Sequence, residues 1–70
     1  MRTRIRELRA RYGLSQQELA RLVGVRRETI LHLEHGRYNP SLRLAHLISR
    51  ALHSALEDLF IFDDDDLSPV

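Results

Sequence analysis

A chain of 70 residues is enough for one domain and lies near the lower limit for folding on a single core without a staple. The absence of cysteine excludes a disulfide framework and a thiolate metal site and fits a reducing cytoplasm; no apolar run approaches membrane-spanning length, and no secretory leader is legible behind the arginine-rich start. Net charge is +1, but residues 1–50 carry all 11 arginines against Glu7, Glu18, Glu28 and Glu34, whereas residues 51–70 carry Glu57, Asp58 and Asp63 to Asp66 with no base. That split favours a basic surface for a polyanion, with an acidic tail kept off it. Every base is arginine, whose planar fork suits phosphate and guanine edges. Codon bias in a GC-rich genome is the plainer account of the same preference.

Thr3 to Tyr12 reads as the first helix. Ile5 and Leu8 share a face that Tyr12 completes, while Arg4, Arg6, Arg9 and Arg11 cover the rest, and Gly13 closes it. Ser15, with Glu18 three residues on, forms a capping box that starts a second helix over Gln16 to Val23. Leu19, Ala20, Leu22 and Val23 are its apolar positions, and Gly24 ends it at a tight turn.

The third helix runs from about Arg26 to His35. Arg26 stands where Ser, Thr or Asp would cap best, beside the positive end of the helix dipole. A nearby anion would make that placement favourable; chance is the alternative. Gly36 ends the helix, and Pro40 keeps Asn39 out of helical conformation. Ser41 caps a fourth helix, Leu42 to about Leu52, with Leu44, Ala45, Leu47, Ile48 and Leu52 at helical spacing. Ser54 and Glu57 read as a second capping box opening a fifth helix, Ala55 to Leu59. Leu59 to Phe62 are four apolar residues rich in β-formers, too short for another helix. They are expected to leave the core as an extended segment, with Met1 to Arg4 as the antiparallel partner. Residues 1–62 then form the domain, its helix-turn-helix at 16–35, and residues 63–70 an acidic, disordered tail.

On a wheel of about 100° per residue, Ile30, Leu33 and Thr29 fall on the inner side of the third helix. Arg27, Leu31 and His35 fall opposite, flanked by Glu28 and His32. A helix with such a face fits the major groove of B-DNA. Arg27 suits guanine O6 and N7, Glu28 a cytosine amine and Leu31 a thymine methyl, while His32 can donate or accept. Ordinary solvent exposure is the plain alternative for each, and contact with a partner chain for Leu31. Gln16, first in the second helix, is placed for a phosphate, because helix N-terminal N–H groups gather there. Arg26, Arg37 and Asn39 are further phosphate candidates, with Arg11 a weaker one.

From about Arg4 to Phe62 these residues resemble the phage Cro/CI (XRE) helix-turn-helix family, especially its small stand-alone repressors. The matching stretches are GLSQQELARLVGV, RETI, LEHGRYNPSL and LEDLF. The resemblance implies an all-α, five-helix lambda-repressor-like domain in which helices two and three cross at Ala20, turn at Gly24 and lock through Ile30 and Leu33. It implies phosphate contact by Gln16, base reading by Arg27, Glu28, Leu31 and His32, and an Arg9–Glu34 ion pair tying the first helix to the recognition helix. Arg9 and Glu34 also lie at the edges of their apolar faces, where a partly buried charge needs a partner. Arg26, Leu31 and the stretch Leu52 to Ala55 depart from the family pattern, and the operator sequence is not readable.

The four histidines, His32, His35, His46 and His53, do not supply the four gathered ligands of a structural zinc site, and the aspartate run lacks the glycine and spaced oxygens of a calcium loop. No nucleophile–base arrangement or phosphate-cradling loop appears. No catalytic residue, metal, cofactor, small-molecule ligand or membrane is therefore expected. One helix-turn-helix makes few contacts, so a symmetric homodimer on a palindromic operator is expected, its recognition helices about 34 Å apart. Leu56, Phe60 and Phe62 are the candidate dimer surface, with completion of the core as the alternative for Leu56 and Phe60. The reading is a cytoplasmic, double-stranded DNA-binding transcriptional repressor. The alternative is a protein-interaction module of the same fold, an antitoxin or coactivator.

Overall fold

The second helix shows how local chemistry sets the frame. In the computed structural model, which describes residues 1–67, Ser15 is extended and its hydroxyl accepts the Glu18 N–H at 3.0 Å. The Glu18 carboxylate accepts the Ser15 N–H in return at 2.9 Å. Two donors that a helix start leaves unpaired are thereby satisfied. The chain order is β1 (Arg2–Thr3), α1 (Ile5–Arg11), α2 (Gln16–Val23), α3 (Arg27–Glu34), α4 (Leu42–Ala51), α5 (Leu56–Leu59), β2 (Phe60–Ile61) and α6 (Asp64–Leu67). Gly24 closes α2 at φ +77°, the left-handed conformation that glycine adopts without a Cβ penalty. Ser41 caps α4 by accepting the Leu44 N–H at 3.1 Å.

Ile5, Leu8, Leu19, Ala20, Ile30, Leu33, Ile48, Leu52 and Leu59 are among the buried residues of one continuous core. α2 packs against both α3 and α4, with Ala20 fully buried. Leu22, apolar by pattern, instead faces outward at 63% exposure. β1 and β2 pair antiparallel, Arg2 opposite Ile61 and Thr3 opposite Phe60, and the Arg4 N–H donates to the Leu59 carbonyl at 3.0 Å. The sheet therefore takes Thr3 away from the first helix, which begins at Ile5.

Three expectations are corrected. Phe60 is only 7% exposed; its ring completes the core, the alternative given above, and it does not project as a dimer contact. Ser54 and Glu57 do not form a capping box: Ala55 is the N-cap of α5, and the Ser54 hydroxyl donates to the Ala55 carbonyl at 3.2 Å. The helix starts one residue late because His53 takes a left-handed turn, at φ +52°, with its ring edge-on to Tyr12 at 5.0 Å.

Third, the acidic segment is ordered over its described part. Asp64–Leu67 form one helical turn, in which the Asp66 carboxylate accepts the Asp63 N–H at 2.9 Å and the terminal ammonium of Met1 at 3.0 Å. Arg2 pairs with Asp63 at 3.0 Å. The backbone bond from Asp63, then the ammonium, hold the Asp66 carboxyl below its usual range. The rest of the expected tail, residues 68–70, lies outside the described residues. No helix of the described residues is long and apolar enough to cross a membrane.

Candidate nucleic-acid interface

α3 turns Ile30 and Leu33 into the core and leaves Arg27, Glu28, His32 and His35 exposed, with Leu31 half-buried between them. Its start carries no side-chain cap, because Arg26 makes none. The positive end of α3 thus meets solvent beside the exposed Arg26 and Arg27, where an anion would be held by both dipole and guanidinium.

Behind this face lies a chain of hydrogen bonds that joins α1, α2 and α3. Arg9 Nε donates to Glu34 Oε2 at 2.7 Å, Arg9 Nη2 to Glu34 Oε1 at 3.4 Å and Arg9 Nη1 to the Leu14 carbonyl at 2.9 Å. The pair is largely withdrawn from water, with the Glu34 side chain 6% exposed. Charges so placed are tolerable only when their lone pairs and protons are met, as they are here. Gln16 Nε2 then donates to Glu34 Oε1 at 3.0 Å, and Arg27 Nη1 donates to Gln16 Oε1 at 3.2 Å. The two residues expected at phosphate and base edge therefore touch each other.

A cleft of about 270 Å³ opens beside this chain, lined by Arg6, Arg9, Gln16, Leu31, Glu34 and His35. Arg6 and His35 thereby join the surface, although neither was among the contact residues expected from the sequence. A signal for each was present: Arg6 is one helical turn before Arg9, and His35 one turn after Leu31. Arg37 and Asn39 are exposed in the loop after α3. Asn39, however, borders a second and larger concavity, not the α3 cleft.

That second concavity, about 600 Å³, is bounded by Pro40, Leu42, Ala45, Leu56, Phe60 and Phe62. Leu42 is 78% exposed and Phe62 52% exposed at its edges, and Leu56 is half-buried in its wall. Glu57 and Asp66 put acid on the rim. The Arg4 guanidinium, hydrogen-bonded to Glu7 at 2.6 Å, lowers that carboxyl, and the Ser15 N–H and hydroxyl lower Glu18. Among the described residues no group of three acids and histidines is gathered closely enough to hold a metal.

Residues 5–59 match the helix-turn-helix family. An HTH-type transcriptional regulator of Archaeoglobus fulgidus is 67% identical over 67 residues, spanning 96% of each chain. Another from Methanothermobacter thermautotrophicus is 61% identical over 66 residues, spanning 93% of this chain and 96% of that one. Among solved structures, the restriction-modification controller protein C.AhdI from Aeromonas hydrophila superposes with a TM-score of 0.73 at 40% identity, over 81% of this chain and 86% of its own. A hypothetical transcription factor from Neisseria gives 0.72 at 32% identity, over 90% and 72%. These relatives are named as regulators, not enzymes. By fold, by the matched span and by near-full-length identity to such proteins, the chain belongs to the helix-turn-helix family of DNA-binding transcriptional regulators.

Proposed function

We propose that the protein is a cytoplasmic repressor that occupies a palindromic operator as a homodimer and excludes polymerase from it. The observation that carries this reading is the Arg27–Gln16 contact at 3.2 Å. It sets an amide at the N-terminus of α2, where backbone N–H groups meet phosphate, beside a guanidinium on the outward face of α3. With α3 in the major groove, Arg27 grips a guanine edge and Glu28 accepts from a cytosine amine. Leu31 lies against a thymine methyl, and His32 completes the row. Gln16, Arg26, Arg37 and Asn39 position the backbone, and Arg6 and His35 extend the same surface along the cleft.

The dimer face in this reading is the concavity between α4 and the β2 end, with Leu56 and Phe62 as its contacts. Leu42 and Phe62 project beside an apolar hollow on one face, and a two-fold interface requires such self-complementarity. Phe60, a core residue, lines the hollow without projecting from it.

The test is a mobility-shift titration of the full chain against a duplex selected from a random library and against unrelated duplex, over a range of salt. Expected is tight binding of the selected duplex, with an apparent affinity that falls steeply as salt rises, as counterion release requires. Equal binding of both duplexes at every salt concentration refutes sequence reading.

A further inference from the structure

We propose that Glu34 is a positioning residue for base readout: it fixes which way the Gln16 amide faces, and through Gln16 it holds Arg27 on the outward side of α3. The proposal rests on the reading above that Arg27 contacts a base. Glu34 itself is too deeply withdrawn to reach DNA. Its carboxylate can only accept hydrogen bonds, whereas a glutamine side chain ends in one acceptor and one donor. Because Glu34 Oε1 takes Gln16 Nε2 at 3.0 Å, Gln16 Oε1 must face the other way, and there it takes Arg27 Nη1 at 3.2 Å. Arg9 anchors the chain from α1 through its 2.7 Å bond to Glu34 Oε2. One guanidinium N–H of Arg27 is used inward, and the remaining donors of the fork are left for a guanine edge. A long side chain that would otherwise sample many rotamers is presented in one.

The polarity of this relay makes a specific demand. In Glu34→Gln the new amide at position 34 keeps its oxygen on the shorter Arg9 Nε bond, at 2.7 Å, and so puts its NH2 where Oε1 stood, facing the donors of both Arg9 Nη2 and Gln16. Gln16 must turn over, directing Nε2 at Arg27, again donor against donor, and Arg27 is released. Gln16→Met breaks the relay while leaving the Arg9–Glu34 pair in place. The double substitution Glu34→Gln with Gln16→Glu restores the order of donors and acceptors, because a carboxylate at position 16 accepts from both neighbours.

The experiment measures the full chain and these variants against the best duplex from a random library, with each base pair replaced in turn, and records melting temperatures alongside. Expected for Glu34→Gln and for Gln16→Met is loss of about tenfold in preference at one base position, with the other positions unchanged. The double variant binds all duplexes more weakly, since it places a carboxylate near phosphate, yet regains the preference at that position. A purely structural role for Glu34 predicts an even loss across all sequences that tracks melting temperature, and that result overturns the proposal. So does a double variant with no recovered preference. Arg27→Ala separates the two levels. If it flattens one position and Glu34→Gln does not, only the relay fails; if it flattens none, the base-reading assignment fails first.

Discussion

Removing the Glu34 carboxylate should cost far more stability than removing that of Glu28, six residues earlier on α3. Glu34→Ala leaves the Arg9 guanidinium in a largely dry site with only the Leu14 carbonyl for company, and it removes the acceptor of Gln16 Nε2. Breaking a buried pair by deleting one partner costs about 3–5 kcal/mol. Arg9 is partly open to solvent and keeps one acceptor, which brings the expected loss to about 2–3 kcal/mol. Glu28 is exposed at the first turn of α3, where removal of an acid costs about 0.5 kcal/mol or less. A domain of this size shifts its melting temperature by roughly 4–8 °C per kcal/mol. Glu34→Ala should therefore melt about 10–20 °C below the parent and Glu28→Ala within about 4 °C of it. Circular dichroism melts at pH 7 and equal protein concentration measure both. Comparable melting temperatures for the two variants would refute the reasoning, since they would mean that the Arg9–Glu34 pair contributes no more than a solvated surface charge.

The glycines make a sharper steric comparison: Gly36→Ala would drive a Cβ into the Met1 carbonyl at φ +68°, whereas a Cβ at Gly13 meets nothing within 4 Å. Both substitutions incur the left-handed penalty of about 1–2 kcal/mol, and Gly36→Ala should lose visibly more in urea titration; equal losses would show that the amino terminus gives way freely. Glu7 and Glu18 both titrate below the usual glutamate value of 4.5 in the folded chain, so their contribution is complete above that pH and fades as acid carries the protein through the lowered folded-state values. Glu18→Gln, which retains the capping geometry, should shallow the loss of melting temperature below about pH 4.5; an unchanged acid limb would remove Glu18 from the account. Phe62→Asp places a charge in the proposed dimer face without touching the core, and light scattering should report a monomer. A variant that stays dimeric moves the interface elsewhere.

The strongest sequence signals were those whose cause is local. Ser15 and Glu18 satisfy each other three residues apart, Gly24 supplies the left-handed turn, and the 3.6-residue period turns Ile30 and Leu33 inward. These place α2 at its observed bounds and α3 within a residue at each end. The strand after α5 and its amino-terminal partner were legible because the apolar run that ends in Phe60, Ile61 and Phe62 is rich in β-formers and too short for another helix. Ser54 carried the same capping signature as Ser15 and misled, because a left-handed residue just before it shifted the start of the helix.

The sequence by itself determined the helix-turn-helix unit, its inner and outer faces, and the charge split between a basic body and an acidic end. Those follow from propensity, periodicity and capping, which act over a few residues. Only the tertiary structure decided that Phe60 belongs to the core, that the aspartates beyond it wind back onto Met1 and Arg2, and that Gln16 stands between Glu34 and Arg27. A four-residue apolar run does not reveal which of its side chains the rest of the molecule will cover. Nor can spacing along the chain disclose the hydrogen bonds of Gln16, to residues 18 and 11 positions away, because such bonds exist only once packed helices bring those side chains together.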